Sequence, residues 1–198
     1  RASQRPIHPA HLAQSVWQAV RDRPWQLANG YLGGWPRRLW DIEEDGQYLG
    51  RSGGHGLGYG LPASLGAALA AAGSDTLVVD IQADGDLMYT ASALWTAAHH
   101  DLPLLVVMHN NRTYGKDELH QREMARLRGR SEDVVPIGIR MSQPPVDFAM
   151  LAQSQGVEGI GPVDDPQELP DVLAKAAAVV RAERRPLLVD VLVGGGNG

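Results

Sequence analysis

The 198-residue sequence contains no cysteine, which excludes disulfides, thiolate metal ligands and a cysteine nucleophile. It has no apolar run approaching the ~18 residues needed to cross a bilayer, and no signal-peptide hydrophobic segment near its start. Positive charge is in short supply: 18 lysines and arginines face 23 aspartates and glutamates, for a formal net charge of −5 and a pI of ≈ 5.8. A surface of that sign does not attract nucleic acid or anionic membrane as a whole, so neither is an expected partner. A cytoplasmic location is the expectation that follows. The chain begins at Arg1 without a methionine and is read as mature, trimmed or one piece of something longer.

What is present suits a soluble α/β protein. Hydrophobic residues make up 43% and charged residues 21% of the chain, and 23 glycines favour tight turns between strands and helices. The length fits one domain with a substantial core. Residues 1–9 are polar and proline-bearing and read as a linker, residues 10–193 as the domain, and the glycine-rich residues 194–198 as a flexible tail.

The chain is organised around Thr76 to Gly115. A short apolar run ends at Ala83-Asp84-Gly85, an Ala-rich helical pattern follows, and a second apolar run ends at Asn110-Asn111. A parallel strand–helix–strand unit would set Asp84 and Asn111 side by side on the carboxyl edge of a sheet. Mg²⁺ takes about six oxygen ligands and commonly shares them between one or two side chains and a diphosphate. Asp84 offers a carboxylate, Asn111 an amide oxygen, and the turn after it a backbone carbonyl. The N–H groups of Gly85 and Asp86 would face phosphate oxygens. Asp-Gly and Asn-Asn are also common turn residues, and each alone can be purely structural.

On either side of this unit the reading is coarser. Leu12, Val16, Trp17 and Val20 fall at helical spacing, which predicts a helix over 10–20. Trp25 to Trp40 holds four tryptophan or tyrosine rings among Asn29, Gly30, Gly33 and Gly34. It reads as an aromatic-anchored loop in the core or an interface, or as a glycine-rich loop close to a ligand. Glycines at 54, 56, 58 and 60 alternate with His55, Leu57 and Tyr59, and Pro62 marks the start of a helix. This spacing is not the dinucleotide fingerprint. It makes either a tight packing turn or a loop that presses Leu57 against a bound ring. Lys116 to Arg130 is dense in charge and reads as a solvated helix or a lid, and Ser131 to Pro145 as a loop. The remainder alternates helix (146–155), strand (156–161), helix (166–184) and strand (186–193). That alternation predicts an α/β, doubly wound parallel sheet with helices on both faces, a three-layer architecture.

Three of these motifs carry a resemblance. Asp84-Gly85, the 24 intervening residues and Asn110-Asn111 resemble the thiamine diphosphate motif. LWTAAHHDLPLLVVMHNNRTYG and HGLGYGLPASLGAALA are similar to segments of the benzoylformate decarboxylase and acetolactate synthase group of thiamine diphosphate-dependent enzymes. The likeness runs from about Gly53 to Val193 and covers their C-terminal diphosphate-binding domain. It implies the thiamine diphosphate-binding fold, with thiamine diphosphate and Mg²⁺ as cofactors. Asp84 and Asn111 would ligate the metal by their side chains and Thr113 by its main-chain oxygen. Gly85, Asp86, Tyr114 and Gly115 would help hold the diphosphate. Leu57, beside Gly56, would be the wedge that bends the cofactor, and the carbonyl of His55 would accept a hydrogen bond from the aminopyrimidine, its imidazole being a candidate catalytic group.

The resemblance further implies a lyase (2-oxo acid decarboxylase) or transferase (acetolactate synthase-like), as part of a homo- or hetero-oligomer. The activating glutamate of such enzymes lies on a pyrimidine-binding domain, in the same enzyme or in a partner subunit, and nothing in this chain matches it. A noncatalytic binding module with the same fold is the alternative. Two departures stand out. Ala83 replaces the usual first glycine of Gly-Asp-Gly, and Asp86 puts an anion where small residues are common. Asp86 would weaken cofactor binding unless its side chain turns away or caps the following helix.

Overall fold

The computed structural model describes residues 6–50, 54, 56–133 and 137–194. His55 and 51–53 therefore lie outside the described residues, as do 1–5 of the expected linker, 134–136 of the expected loop and 195–198 of the expected tail.

In chain order the elements are α1 (Pro9–Val20), β1 (Trp25–Gly30), α2 (Trp35–Leu39), α3 (Gly60–Ala70), β2 (Leu77–Ala83), α4 (Asp84–Leu87), α5 (Ala93–His99), β3 (Leu104–Asn110), α6 (Gly115–Leu127), α7 (Phe148–Ser154), β4 (Glu158–Val163), α8 (Leu169–Glu183) and β5 (Leu187–Leu192). The five strands form one parallel sheet in the order β1-β2-β3-β5-β4. β2 (LVVDIQA) and β3 (LLVVMHN) are buried at every position, as strands covered on both faces must be. One face packs Leu12, Val16, Val20 of α1 and Leu173, Ala177, Val180 of α8 against Val79, Val107 and Val189. The other packs Leu61 and Ala68 of α3, Leu94 and Ala97 of α5, and Phe148 and Ala152 of α7 against Val78, Val106 and Leu188. The crossovers from β1 to β2 and from β2 to β3 run through α3 and α5 on one face, and the return from β4 to β5 runs through α8 on the other. A right-handed crossover requires that change of face.

Local chemistry fixes where the helices start and stop. His8 Nδ1 accepts the Ala10 N–H at 3.1 Å, with Pro9 at the first helical position of α1. Asp147 Oδ1 accepts the Met150 N–H at 2.8 Å to open α7. The expected linker joins the domain at its end, because Ile7 is fully buried, bridges in parallel to Val193 and accepts the Gly194 N–H.

The Trp25 to Trp40 stretch departs most from the sequence reading, since its first six residues are an edge strand. WQLANG lacks the β-branched residues that announce a strand. It is held by pairing with β2 and by inward burial of Trp25 and Leu27. Residues 47–49 cover its edge, with the Leu27 N–H donating to Gln47 O at 2.7 Å and the Leu49 N–H to Leu27 O at 3.1 Å. The aromatic rings do anchor the core: Trp17, Trp25 and Trp40 pack with centroids 5.2 to 5.5 Å apart, and Trp40 Nε1 donates to Ala13 O at 2.9 Å.

α7 lies so close to β4 that a Cβ at Gly159 would stand 2.7 Å from Ala149 Cα and press on its carbonyl. Gly159→Ala is therefore expected to destabilise the chain by about 1–3 kcal/mol, read as a lowered midpoint in urea with unchanged slope.

Candidate cofactor and metal site

The sheet register brings the two predicted strand ends together. Ala83, the last residue of β2, lies across from His109, the penultimate residue of β3. Asp84 and Asn111 therefore leave the sheet side by side at its carboxyl edge. The Asp84 side chain is 2% exposed; Oδ1 accepts the Gly85 N–H at 2.9 Å, and Oδ2 is buried without a hydrogen-bond partner. Burial pushes its pKa up to about 6, against the pull of the backbone N–H groups of Gly85, Arg112, Thr113 and Asn111.

The facing turn is built by the two asparagines in different ways. Asn110 Nδ2 donates to both oxygens of the buried Asp190, at 3.0 and 3.2 Å, and its Oδ1 accepts the Arg112 N–H at 3.2 Å. Asn111 Oδ1 accepts the Thr113 N–H at 3.1 Å, an Asx turn that leaves a lone pair toward the cleft. Arg112 takes the left-handed conformation at φ 58°. Residues 112–114 are then clasped by the strand-like pairing of Tyr114 N–H with Ile139 O and Met141 N–H with Arg112 O. Thr113 Oγ1 donates to Glu118 Oε2 at 3.1 Å. Arg140 and Arg122 bond the same carboxylate, and with Thr113 they hold its pKa down to about 2.

Asp84, Asn111 and Thr113 line a cleft of about 560 Å³, of a size suited to a cofactor. Of the residues singled out from the sequence, Gly56, Leu57, Asp84, Gly85, Asp86, Asn111, Thr113, Tyr114 and Gly115 all border it. The Tyr114 ring lies against Gly85, where any Cβ would collide with it. Leu57 projects from the opposite wall, 52% exposed. The Asp86 carboxylate is turned to that wall: Oδ1 accepts the Gly58 N–H at 2.7 Å, and Oδ2 accepts the Gly60 N–H at 3.2 Å and Gln82 Nε2 at 2.6 Å. It caps the start of α3.

Asn29, Gly30 and Tyr31 at the end of β1 border the cleft, where the ligand-loop alternative for that stretch would put them. Lys116, Asp117 and His120 of α6 border it too, and the sequence does not single them out within their charged segment. Lys116 and His120 are one helical turn apart, a spacing visible in the sequence. Asp80, Asp190 and His109 are isolated polar residues inside apolar strands, itself a signal. Burial raises the Asp80 pKa to about 7 and that of Asp190 to about 6, and lowers that of His109 to about 4.

Among the described residues no group of three or more histidines or acids is gathered to hold a metal. A cation here would rest on one carboxylate and neutral oxygens, which suits Mg²⁺ completed by phosphate and water. The buried, unpartnered Oδ2 of Asp84 is the atom such a cation would satisfy. A raised native pKa stabilises the fold below about pH 4 and loses that contribution as pH rises through about 6. Asp84→Asn is therefore expected to stabilise the metal-free chain by about 1–3 kcal/mol at pH 8, and by little at pH 4. Urea unfolding at the two pH values measures the difference.

Comparison with known proteins agrees with this geometry. The family model for the thiamine pyrophosphate enzyme C-terminal TPP binding domain matches residues 28–191. Benzoylformate decarboxylase of Pseudomonas aeruginosa is 33% identical over 151 residues, which is 76% of this chain and 25% of that protein. Acetolactate synthase isozyme 3 large subunit of Escherichia coli is 36% identical over 149 residues, 73% of this chain and 23% of that protein. The solved thiamine diphosphate-dependent 4-hydroxybenzoylformate decarboxylase of Rhodococcus jostii superposes with a TM-score of 0.77 at 27% identity, covering 98% of this chain and 34% of that one. The chain thus spans only a part of the length of the relatives it matches. Strand order, cleft and family match converge: the chain belongs to the C-terminal thiamine pyrophosphate-binding domain family of the decarboxylases and acetolactate synthases.

Proposed function

We propose that this chain holds the diphosphate of thiamine diphosphate through Mg²⁺, as the anchoring half of a 2-oxo acid decarboxylase or carboligase. The observation that carries the reading is the buried Asp84 Oδ2, unpartnered and set beside the Asn111 turn. Asp84 Oδ2, Asn111 Oδ1 and the Thr113 main-chain oxygen would hold the cation. The N–H groups of Gly85 and Asp86 would meet the diphosphate, and Lys116 of α6 would offset its remaining charge. Tyr114 and Gly115 close that end of the cleft, and Leu57 with Gly56 would support the rings from the other wall. His55 is assigned its role by resemblance alone.

When bound, thiamine diphosphate supplies an electron sink for loss of carbon dioxide from a 2-oxo acid. The chain's own residues orient it and exclude water from the diphosphate end. A pyrimidine-binding domain, in the same enzyme or a partner subunit, would complete the site. Residues 10–193 would form the anchoring domain, and α6, which has no buried residue, would close over the cleft.

Calorimetric titration tests this reading. The chain should bind thiamine diphosphate only with Mg²⁺, and Asp84→Ala should weaken that binding by at least ~100-fold. Unchanged affinity in Asp84→Ala, or no Mg²⁺-dependent binding even with a pyrimidine-binding domain supplied, would overturn it. Binding with no turnover of 2-oxo acids in that assembly would leave a noncatalytic binding module.

A further inference from the structure

Leu57 stands half exposed on the cleft wall, so packing does not hold it; the backbone beneath it does. Gly58 has φ +83°, and a Cβ there would meet Thr90 Cγ2 at 2.9 Å. The Gly58 N–H donates to Asp86 Oδ1 at 2.7 Å, and its carbonyl accepts Thr90 Oγ1 at 3.3 Å. Gly60, two residues on, donates to Asp86 Oδ2 at 3.2 Å. A Cβ at Gly60 would lie 2.5 Å from Asn29 Nδ2 and 2.8 Å from Asp86 Oδ2, so the turn is seated directly on these side chains.

Asp86 is itself held from below. Gln82 Nε2 donates to Asp86 Oδ2 at 2.6 Å. Asn29 Nδ2 reaches Gln82 Oε1 at 3.2 Å and Asp80 Oδ1 at 2.8 Å. Asn29, Gln82 and Asp80 are all buried in β1 and β2. A polar chain therefore runs from the middle of the sheet to the turn that carries Leu57, and Asp86 is its last link. The Asp86 carboxylate lies against the first N–H of the eleven-residue α3, where the helix dipole favours an anion.

We propose that Asp86 is a positioning residue. Its carboxylate grips the Gly58 and Gly60 N–H groups and so sets Leu57 at the height at which it supports the cofactor rings, independently of diphosphate capture by Asp84. The inference rests on the reading of the cleft given above. It also reverses the effect expected of an anion at this position: the carboxylate strengthens binding of the ring-bearing cofactor instead of repelling its phosphates.

The test compares Asp86→Ser and the near-isosteric Asp86→Asn with the unaltered chain. For each, affinity is measured for thiamine diphosphate and for inorganic pyrophosphate, both with Mg²⁺, and amide hydrogen exchange is followed at Gly58 and Gly60 without ligand. Asp86→Ser is expected to weaken thiamine diphosphate about tenfold while leaving pyrophosphate affinity unchanged or higher. Exchange at Gly58 and Gly60 should rise about tenfold or more, with β2 and β3 amides unchanged. Asp86→Asn, which keeps one acceptor, should fall between. Equal losses for both ligands, undiminished thiamine diphosphate affinity, or unaltered exchange at Gly58 and Gly60 would overturn the proposal. If the unaltered chain binds neither ligand, the proposed function fails, and the exchange data alone decide whether Asp86 holds the turn.

Discussion

Everything at this site depends on the register of β2 against β3. Pairing Ala83 with His109 puts the ends of two parallel strands at one level, and only then do a carboxylate and a carboxamide on different strands share a space. A slip of one residue would turn every side chain of a strand to the opposite layer. The buried polar side chains of these strands resist that slip, because Asp80 and Gln82 pair with Asn29 of β1 and Asn110 pairs with Asp190 of β5, and a slip would leave these groups buried and unpaired. The polar pairings thus fix the register, and the α4 and 111–113 turns finish the geometry.

The same sheet carries groups that an unconstrained core would lack. Asp80, Gln82, His109 and Asp190 are buried within the strands. Asp190 holds Asn110, and so the turn that presents Asn111; Asp80 and Gln82 hold Asn29 and Asp86, and so the wall that presents Leu57. Each carboxylate bears a desolvation cost, visible in the raised pKa values of Asp80, Asp84 and Asp190. Asp80 and Asp190 recover part of it through asparagine hydrogen bonds. Asp84 accepts the Gly85 N–H on Oδ1, and its Oδ2 is buried without a partner. Stability has been given up at the one carboxylate whose charge a cation would compensate.

The parts legible in the sequence are those set by local pattern. The apolar runs of β2 and β3, the amphipathic spacing of α1, and the alternating elements after residue 146 all lie within three residues of where the sequence places them. Asp84 and Asn111 were readable because each closes an apolar run. β1 was not, because Trp-Gln-Leu-Ala-Asn-Gly has no strand signature and is held by β2 and residues 47–49. The direction of the Asp86 side chain was equally hidden, since its partners Gly58 and Gly60 are 28 and 26 residues away. The Asn110–Asp190 contact spans 80 residues. Such long-range polar pairings have no period, and only the fold discloses them.

The most direct measurement of the central claim is a crystal structure of the chain grown with Mg²⁺ and thiamine diphosphate. The account predicts a cation on Asp84 Oδ2, Asn111 Oδ1 and the Thr113 main-chain oxygen, with the diphosphate beside Gly85 and Leu57 against the rings. A cation away from Asp84 and Asn111, or a diphosphate bound elsewhere on the chain, would contradict it.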